Sequence, residues 1–229
     1  SEYRVNVGFR TIEFRADGFY LNGQRIKLRG LNRHQSYPYV GYAMPDSMQR
    51  EDVRILKDEL ACNIVRTSHY PQAHSFFDEC DKRGLLVFTE IPGWQHIGDE
   101  KWKQQAVVNT RDMIVEYRNH PSIIMWGVRI NESQDDDEFY TKTNEVAHSL
   151  DKYRQTGGVR YLRKSSLLED VYTFNDFSFA GNFKHDGILD KKEVTPDMNK
   201  AYYISEYNGH MFPTKSIDDY PHRNLHALR

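Results

Sequence analysis

From Ile26 to Ser205 the chain keeps switching between two rhythms. Short runs rich in β-branched residues alternate with longer stretches whose apolar side chains recur at helical spacing. The runs are Ile26–Leu31, Asn63–Thr67, Leu85–Thr89, the six residues IIMWGV from Ile123, Val159–Leu162, Asp170–Phe174 and Ala201–Ser205. Between them, Val53, Leu56 and Leu60 (with Ile55 beside them), then Phe76, Phe77 and Cys80, then about Glu100 to Arg118, then Phe139, Thr143, Val146, Ala147 and Leu150 mark helices. A strand that reads apolar on both faces is buried on both faces, and helical crossovers make such strands parallel. Seven units of this kind predict an α/β chain, a (β/α)8 barrel. Only 23 residues follow Glu206, and they run into the polar Pro221-His222-Arg223-Asn224, so the eighth strand is expected to be missing.

Local signals divide the chain. Residues 3 to 28 alternate in β fashion around Ala16-Asp17-Gly18 and Leu21-Asn22-Gly23-Gln24, and Asn-Gly is a strong hairpin turn. We therefore expect a strand and hairpin connector over 1–24, left from a preceding all-β domain, and a barrel domain over 25–229. Asp46 after Pro45, with Gln49 three residues on, has capping-box spacing for the first barrel helix. Cys62 and Cys80 read as small buried thiols, neither a disulfide nor a metal site.

The formal charge of −2 argues against nucleic acid or an anionic membrane surface as partner. No apolar stretch approaches the roughly 18 to 20 residues of a membrane span, and the N-terminus carries no signal-peptide pattern. The compartment, cytoplasmic, periplasmic or secreted, stays open. An open barrel leaves strand edges unpaired, and a homo-oligomer that hides them is one expected arrangement.

In a barrel of this kind the functional groups stand where strands end and helices begin. Those ends read Asn32-Arg33-His34, Arg66 to Tyr70, Glu90 to His96, Asn131-Glu132, Asn175-Asp176 and Glu206-Tyr207. Glu132 alone is ambiguous, because Asp135-Asp136-Asp137 behind it starts a helix and an acidic, solvated helix start would absorb it. The joint pattern points elsewhere. Cleavage of a glycosidic bond needs one protonated carboxyl and one carboxylate, and strands four and seven bring Glu132 and Glu206 across the axis from each other. Glu90, one strand away from Glu132, takes a supporting role.

RGLNRH at Arg29 to His34, VRTSHYP at Val65 to Pro71, NHPSIIMWGVRINES at Asn119 to Ser133 and ISEY at Ile204 to Tyr207 resemble the catalytic TIM barrel of glycoside hydrolase family 2. That family includes β-galactosidases, β-glucuronidases and β-mannosidases, all retaining. The resemblance implies a β-galactosidase-like enzyme with a carbohydrate substrate, Glu132 as acid/base and Glu206 as nucleophile. It also implies that Asn131 bonds the sugar 2-hydroxyl, that His34 and His69 line the sugar site, and that Arg66 keeps the nucleophile ionised and oriented.

Two positions depart from the family pattern. In its metal-dependent β-galactosidases a Glu two residues before a His joins the acid/base in holding magnesium. Here His96 is present, but Trp94 stands in the Glu position, so no metal and no other cofactor is expected. Trp94 reads equally as a surface that stacks on sugar or as packing, and His96 is kept among the sugar-binding candidates. Near the nucleophile the family commonly has a tyrosine from strand six. This chain reads Asn175-Asp176-Phe177 there, with Tyr172 or Tyr203 as substitutes and Asn175 as a substrate-binding candidate. Two other classes stay in view: a silent carbohydrate-binding barrel, and a metal hydrolase built on His34, His69, His74 and His96.

Overall fold

The computed structural model describes residues 7–178 and 188–207. Three short strands come first, β1 (Ile12–Arg15), β2 (Gly18–Leu21) and β3 (Gln24–Ile26), paired antiparallel. Asn22 and Gly23, both at positive φ (51° and 78°), make the tight turn between β2 and β3. The second sheet holds β4 (Gly30–Arg33), β5 (Ile64–Thr67), β6 (Leu86–Glu90), β7 (Ile123–Gly127), β8 (Gln155–Arg160), β9 (Val171–Asp176) and β10 (Ala201–Tyr207). All neighbours are parallel and lie in chain order. Between them run α1 (Asp46–Arg54), α2 (His74–Arg83), α3 (Glu100–Tyr117), α4 (Asp137–Leu150) and the short α5 (Lys191–Val194).

The sheet curls into a barrel. Four strands separate β5 from β10 in sheet order, yet Arg66 on β5 reaches Glu206 on β10 at 3.4 Å. Alternate side chains point inward and outward, and both sets are apolar below the mouth. Outward, Val65, Val87, Trp126, Val128 and Ile130 pack under Phe76, Phe77, Ile114, Phe139 and Tyr140. Inward, Ile64, Phe88, Met125, Val159, Val171 and Ala201 close on Phe14 and Phe19 from the first sheet. The antiparallel sheet is therefore the floor of the barrel. Gln155 pins it, accepting from the Phe14 amide at 2.5 Å and donating to the Phe14 carbonyl at 3.0 Å. Burying each such aromatic ring is worth about 1.5–3 kcal/mol.

Several expectations shift. Ile26 closes β3, and the first barrel strand starts only at Gly30. The capping box at Asp46 does not form: Pro45 is the cap residue, and the buried Gln49 accepts a 2.8 Å bond from Arg33 instead. Tertiary demand for a partner to a buried guanidinium outweighs the local motif. Leu60 is exposed, because α1 runs on into a π-helical turn at Ile55–Glu59 that rotates it off the buried face set by Val53 and Leu56. The fifth barrel strand begins at Gln155 rather than Val159, and its two glycines hid it. A Cβ at Gly157 would lie 2.9 Å from both Met125 and Thr173, and one at Gly158 would lie 2.1 Å from Glu169.

Other expectations hold. Helix α3 runs from Glu100 to Tyr117 and α4 starts at Asp137 with Asp136 as its cap, as the patterns indicate; the structure adds the Asp99 cap of α3 and a left-handed Gly84 that closes α2. Cys62 and Cys80 are buried and free. No described helix is long and apolar enough to cross a membrane. The segment read as lacking an eighth strand, and the first residues of the strand-like N-terminus, lie outside the described residues.

Candidate active site

At the carboxyl ends of β5, β6, β7, β9 and β10 the interior turns from apolar to charged. Arg66, with 1% of its side chain exposed, donates through Nε and Nη2 to the two oxygens of Glu90 at 2.9 and 2.8 Å. The same Nη2 donates to Asn131 Oδ1 at 2.8 Å, and Nη1 reaches Glu206 Oε2 at 3.4 Å. His69 Nδ1 lies 2.8 Å from Glu90 Oε1. Burial by itself would push the Glu90 carboxyl up, but the Arg66 guanidinium and the His69 ring outweigh it and hold that carboxyl below its usual range. Gly127 makes the room: a Cβ there would sit 2.3 Å from the Glu90 Cβ.

Asn175 ties the two candidate acids together. Its Nδ2 donates to Glu206 Oε2 at 2.7 Å and Glu132 Oε1 at 2.9 Å, and lies 3.2 Å from Asn131 Oδ1. Ser205 donates to Asn175 Oδ1 at 2.9 Å, which turns the amide so that its NH₂ faces the carboxylates. Ser205 and Glu206 both serve the mouth because β10 shifts register between Ile204 and Glu206, a bulge that re-aims the side chains beyond it.

Glu132 is seated differently. Its φ of 54° is in the left-handed region, which costs a non-glycine residue roughly 1–2 kcal/mol. Contacts on both sides impose it. The Glu132 amide donates to the Val159 carbonyl at 3.1 Å, the Ser133 amide to Ile130 at 3.2 Å, and the Ser133 hydroxyl meets Tyr140 on α4 at 2.5 Å. Buried Arg129 grips Asp135 just beyond. Gln95 donates to Glu132 Oε2 at 3.2 Å, and its own backbone amide donates to the Asn131 carbonyl at 2.7 Å.

Of the residues expected at the site, Glu132, Glu206, Asn131, Arg66, His69 and Asn175 form one hydrogen-bonded cluster. His34 joins at its edge, its ring 5.3 Å from that of His69 in a T-shaped contact. Trp94 is bridged through its backbone to Asn131 and is 57% exposed, so the packing reading of this side chain is wrong. His96 stands apart: it is exposed, and its ring has no hydrogen-bond partner among the described residues. Neither substitute tyrosine reaches Glu206. Tyr172 faces outward toward the Leu162 carbonyl, and Tyr203 lies lower in the barrel against Phe88, where burial pushes its phenol up to about 12. Gln95 and Ser205 escaped the sequence reading, although each adjoins a residue it had singled out.

The magnesium ligands of the metal-dependent β-galactosidases that this chain resembles are only partly matched here. The indole of Trp94 offers no oxygen where a carboxylate is needed, and His96 lies outside the cluster. Among the described residues, ligand-type atoms gather closely only at Asp78, Asp81 and His120, beside α2. His74 pairs with Glu116 at 2.8 Å on the outer surface, so the four histidines of the metal-hydrolase reading do not share a site.

Residues 12–224 match the profile of the TIM barrel domain of glycosyl hydrolases family 2. The chain belongs to that family. A family 2 barrel accounts for both the parallel curled sheet and the polar mouth. The chain is 59% identical to a beta-galactosidase of Thermoanaerobacterium thermosulfurigenes over 233 residues, covering 100% of this chain and 32% of that protein. It is 38% identical to a putative beta-glucuronidase of Formosa agariphila, over 89% of this chain and 27% of that one. Among solved structures, the family 2 beta-galacturonidase of Eisenbergiella tayi bound to galacturonate aligns with a TM-score of 0.79 at 27% identity, over 96% of this chain and 45% of the other. The chain spans about a third of the length of the curated relatives it matches.

Proposed function

We propose that this barrel carries the double-displacement site of a retaining glycosidase that removes terminal β-linked sugars, β-galactosides first among them. One observation carries the reading: a single amide nitrogen, Asn175 Nδ2, bonds an oxygen of Glu132 and an oxygen of Glu206. Those two oxygens therefore lie no farther apart than the sum of the two bonds, about 5.6 Å, a closeness that suits the roughly 5–5.5 Å between the carboxyl groups of retaining enzymes.

In the first step a Glu206 oxygen attacks the anomeric carbon, the bond from that carbon to the leaving oxygen breaks, and Glu132 gives its proton to that oxygen. In the second step Glu132 takes a proton from water, the water oxygen attacks the same carbon, and the bond to Glu206 breaks. The guanidinium of Arg66 beside Glu206 suits a carboxylate that attacks as an anion. Asn131, His34 and His69 face the sugar, with Asn175 between the acids and Trp94 and His96 on the rim. No metal enters either step. The 59% identity to a protein named beta-galactosidase supports galactose as first choice, whereas a β-glucuronide or β-mannoside would use the same two acids.

The test is incubation of the full-length protein with 2-fluoro glycosides of galactose, glucuronic acid, mannose and glucose, followed by peptide mass spectrometry. Covalent label on Glu206 from one sugar supports the mechanism and names the sugar. No label from any of them overturns it in favour of a silent carbohydrate-binding barrel.

A further inference from the structure

Trp94 is an exposed indole on an immobilised loop, and we propose that it is the platform for the leaving group, accepting the flat face of a second pyranose or an aryl ring. The proposal rests on the double-displacement reading and extends it to the half of the substrate beyond the scissile bond.

Direction comes from register. Trp94 and Asn131 form a parallel backbone bridge, and residues side by side in such a bridge project to the same face. The Asn131 side chain accepts from Arg66 at 2.8 Å and lies 3.2 Å from Asn175 Nδ2, so that face is the barrel mouth. The indole thus leaves the loop toward the substrate side.

Position relative to the chemistry comes from Glu132. Its Oε1 is on the inner side, bonded to the same Asn175 nitrogen as Glu206. Its Oε2 is on the outer side, bonded at 3.2 Å to Gln95, the residue after Trp94. A proton would move from Glu132 to the oxygen that departs; on this reading the departing group lies on the Gln95 side of the acid, and Trp94 is the exposed aromatic side chain carried next to Gln95.

The loop is held rather than draped. Gly93 donates to the His69 carbonyl at 3.2 Å and Gln95 to the Asn131 carbonyl at 2.7 Å, so Trp94 is clamped from both neighbours. Gln95 sits at a φ of 60°, and Gly93 at 150°, where a Cβ would come within 2.6 Å of Ile130. A side chain carried on a backbone held in this way needs no ordering of the loop when a ring stacks on it, and an indole offers the C–H faces of a sugar a broad apolar partner. In the metal-dependent β-galactosidases that the sequence resembles, this position is a carboxylate that serves a metal; in the proposal the same place is given to apolar recognition.

The experiment compares wild type, Trp94→Ala and Trp94→Phe in the full-length protein, using three substrates of the sugar that labels Glu206: its β-linked disaccharide, its aryl glycoside and its β-glycosyl fluoride. Fluoride leaves without presenting a ring face. The expected result is a loss of kcat/KM for Trp94→Ala that is about tenfold greater on the disaccharide and aryl glycoside than on the fluoride, mostly recovered in Trp94→Phe. Transfer of the sugar to an added pyranose acceptor, relative to water, should fall in the same order. Equal losses on all three substrates would overturn the platform, since they would mean a damaged loop; so would an unchanged disaccharide rate. If no sugar labels Glu206 in the wild type, the underlying mechanism fails and takes the platform with it, an outcome distinguished by the labelling itself.

Discussion

Glu132 and Glu206 share Asn175 but little else. Glu206 is the penultimate residue of β10, at the edge of the described sheet, is aimed by a bulge, and has a guanidinium within 3.4 Å. Glu132 lies beyond the central strand β7, is held at a left-handed φ by bonds to its neighbours, and among the described residues its carboxylate accepts side-chain hydrogen bonds from the amides of Gln95 and Asn175. In the proposed mechanism the first would attack the sugar and the second would carry the proton, so that two residues of one type would be given different work by what surrounds them.

The difference breaks most sharply at Glu206. Glu206→Gln should lower turnover of every glycoside by about 10⁴-fold or more, because among the described carboxylates of the mouth Glu90 is tied to Arg66 and Glu132 is assigned to proton transfer. Steady-state assays across leaving groups would check it; a variant that kept rapid turnover of activated substrates would reverse the assignment of roles. Glu132→Gln should cost about 10² to 10⁴-fold on substrates whose leaving group needs a proton. It should spare the first step for dinitrophenyl glycosides, seen as a burst of phenolate.

Glu90→Gln sharpens the contrast through Arg66. Stripping one partner from a buried pair costs about 3–5 kcal/mol of stability. The native Glu90 carboxyl is held below its unfolded value of about 4.3, so its contribution is fully present above that pH and is lost as pH falls through the native value. Urea melts of wild type and variant should therefore differ at pH 7 and converge in acid, and a gap independent of pH would refute the electrostatic account. Ser205→Ala should have the smallest effect. Losing about 1 kcal/mol of hydrogen bonding, it lets the Asn175 amide turn away from both acids and slows both steps about fivefold. An effect on only one step would mean that Asn175 serves one acid alone.

Much of this was readable along the chain, for identifiable reasons. Strand and helix rhythms are local, so seven parallel strands and the ends of α2, α3 and α4 could be placed from patterns and caps. The strand ends then delivered His34, Arg66, His69, Asn131, Glu132, Asn175 and Glu206 as candidates. Local reading failed where distant packing chose the residue. Gly157 and Gly158 look like a turn until Met125, Thr173 and Glu169 are seen to need their space. Gln49 looks like a capping partner until Arg33 claims it. His96 looked like its neighbours and lies outside the network.

By itself, the order of residues determined the barrel architecture and its family motifs and singled out the two candidate acids, because hydrophobic period and strand-end position are set within a few residues of each site. Only the tertiary structure decided that Phe14 and Phe19 floor the barrel, that Asn175 is the common donor, that Ser205 orients it, and that Trp94 stands exposed on a loop bridged to Asn131. Each of those depends on groups brought together from strands far apart in the chain, where distance and direction rather than residue type decide which hydrogen bonds form.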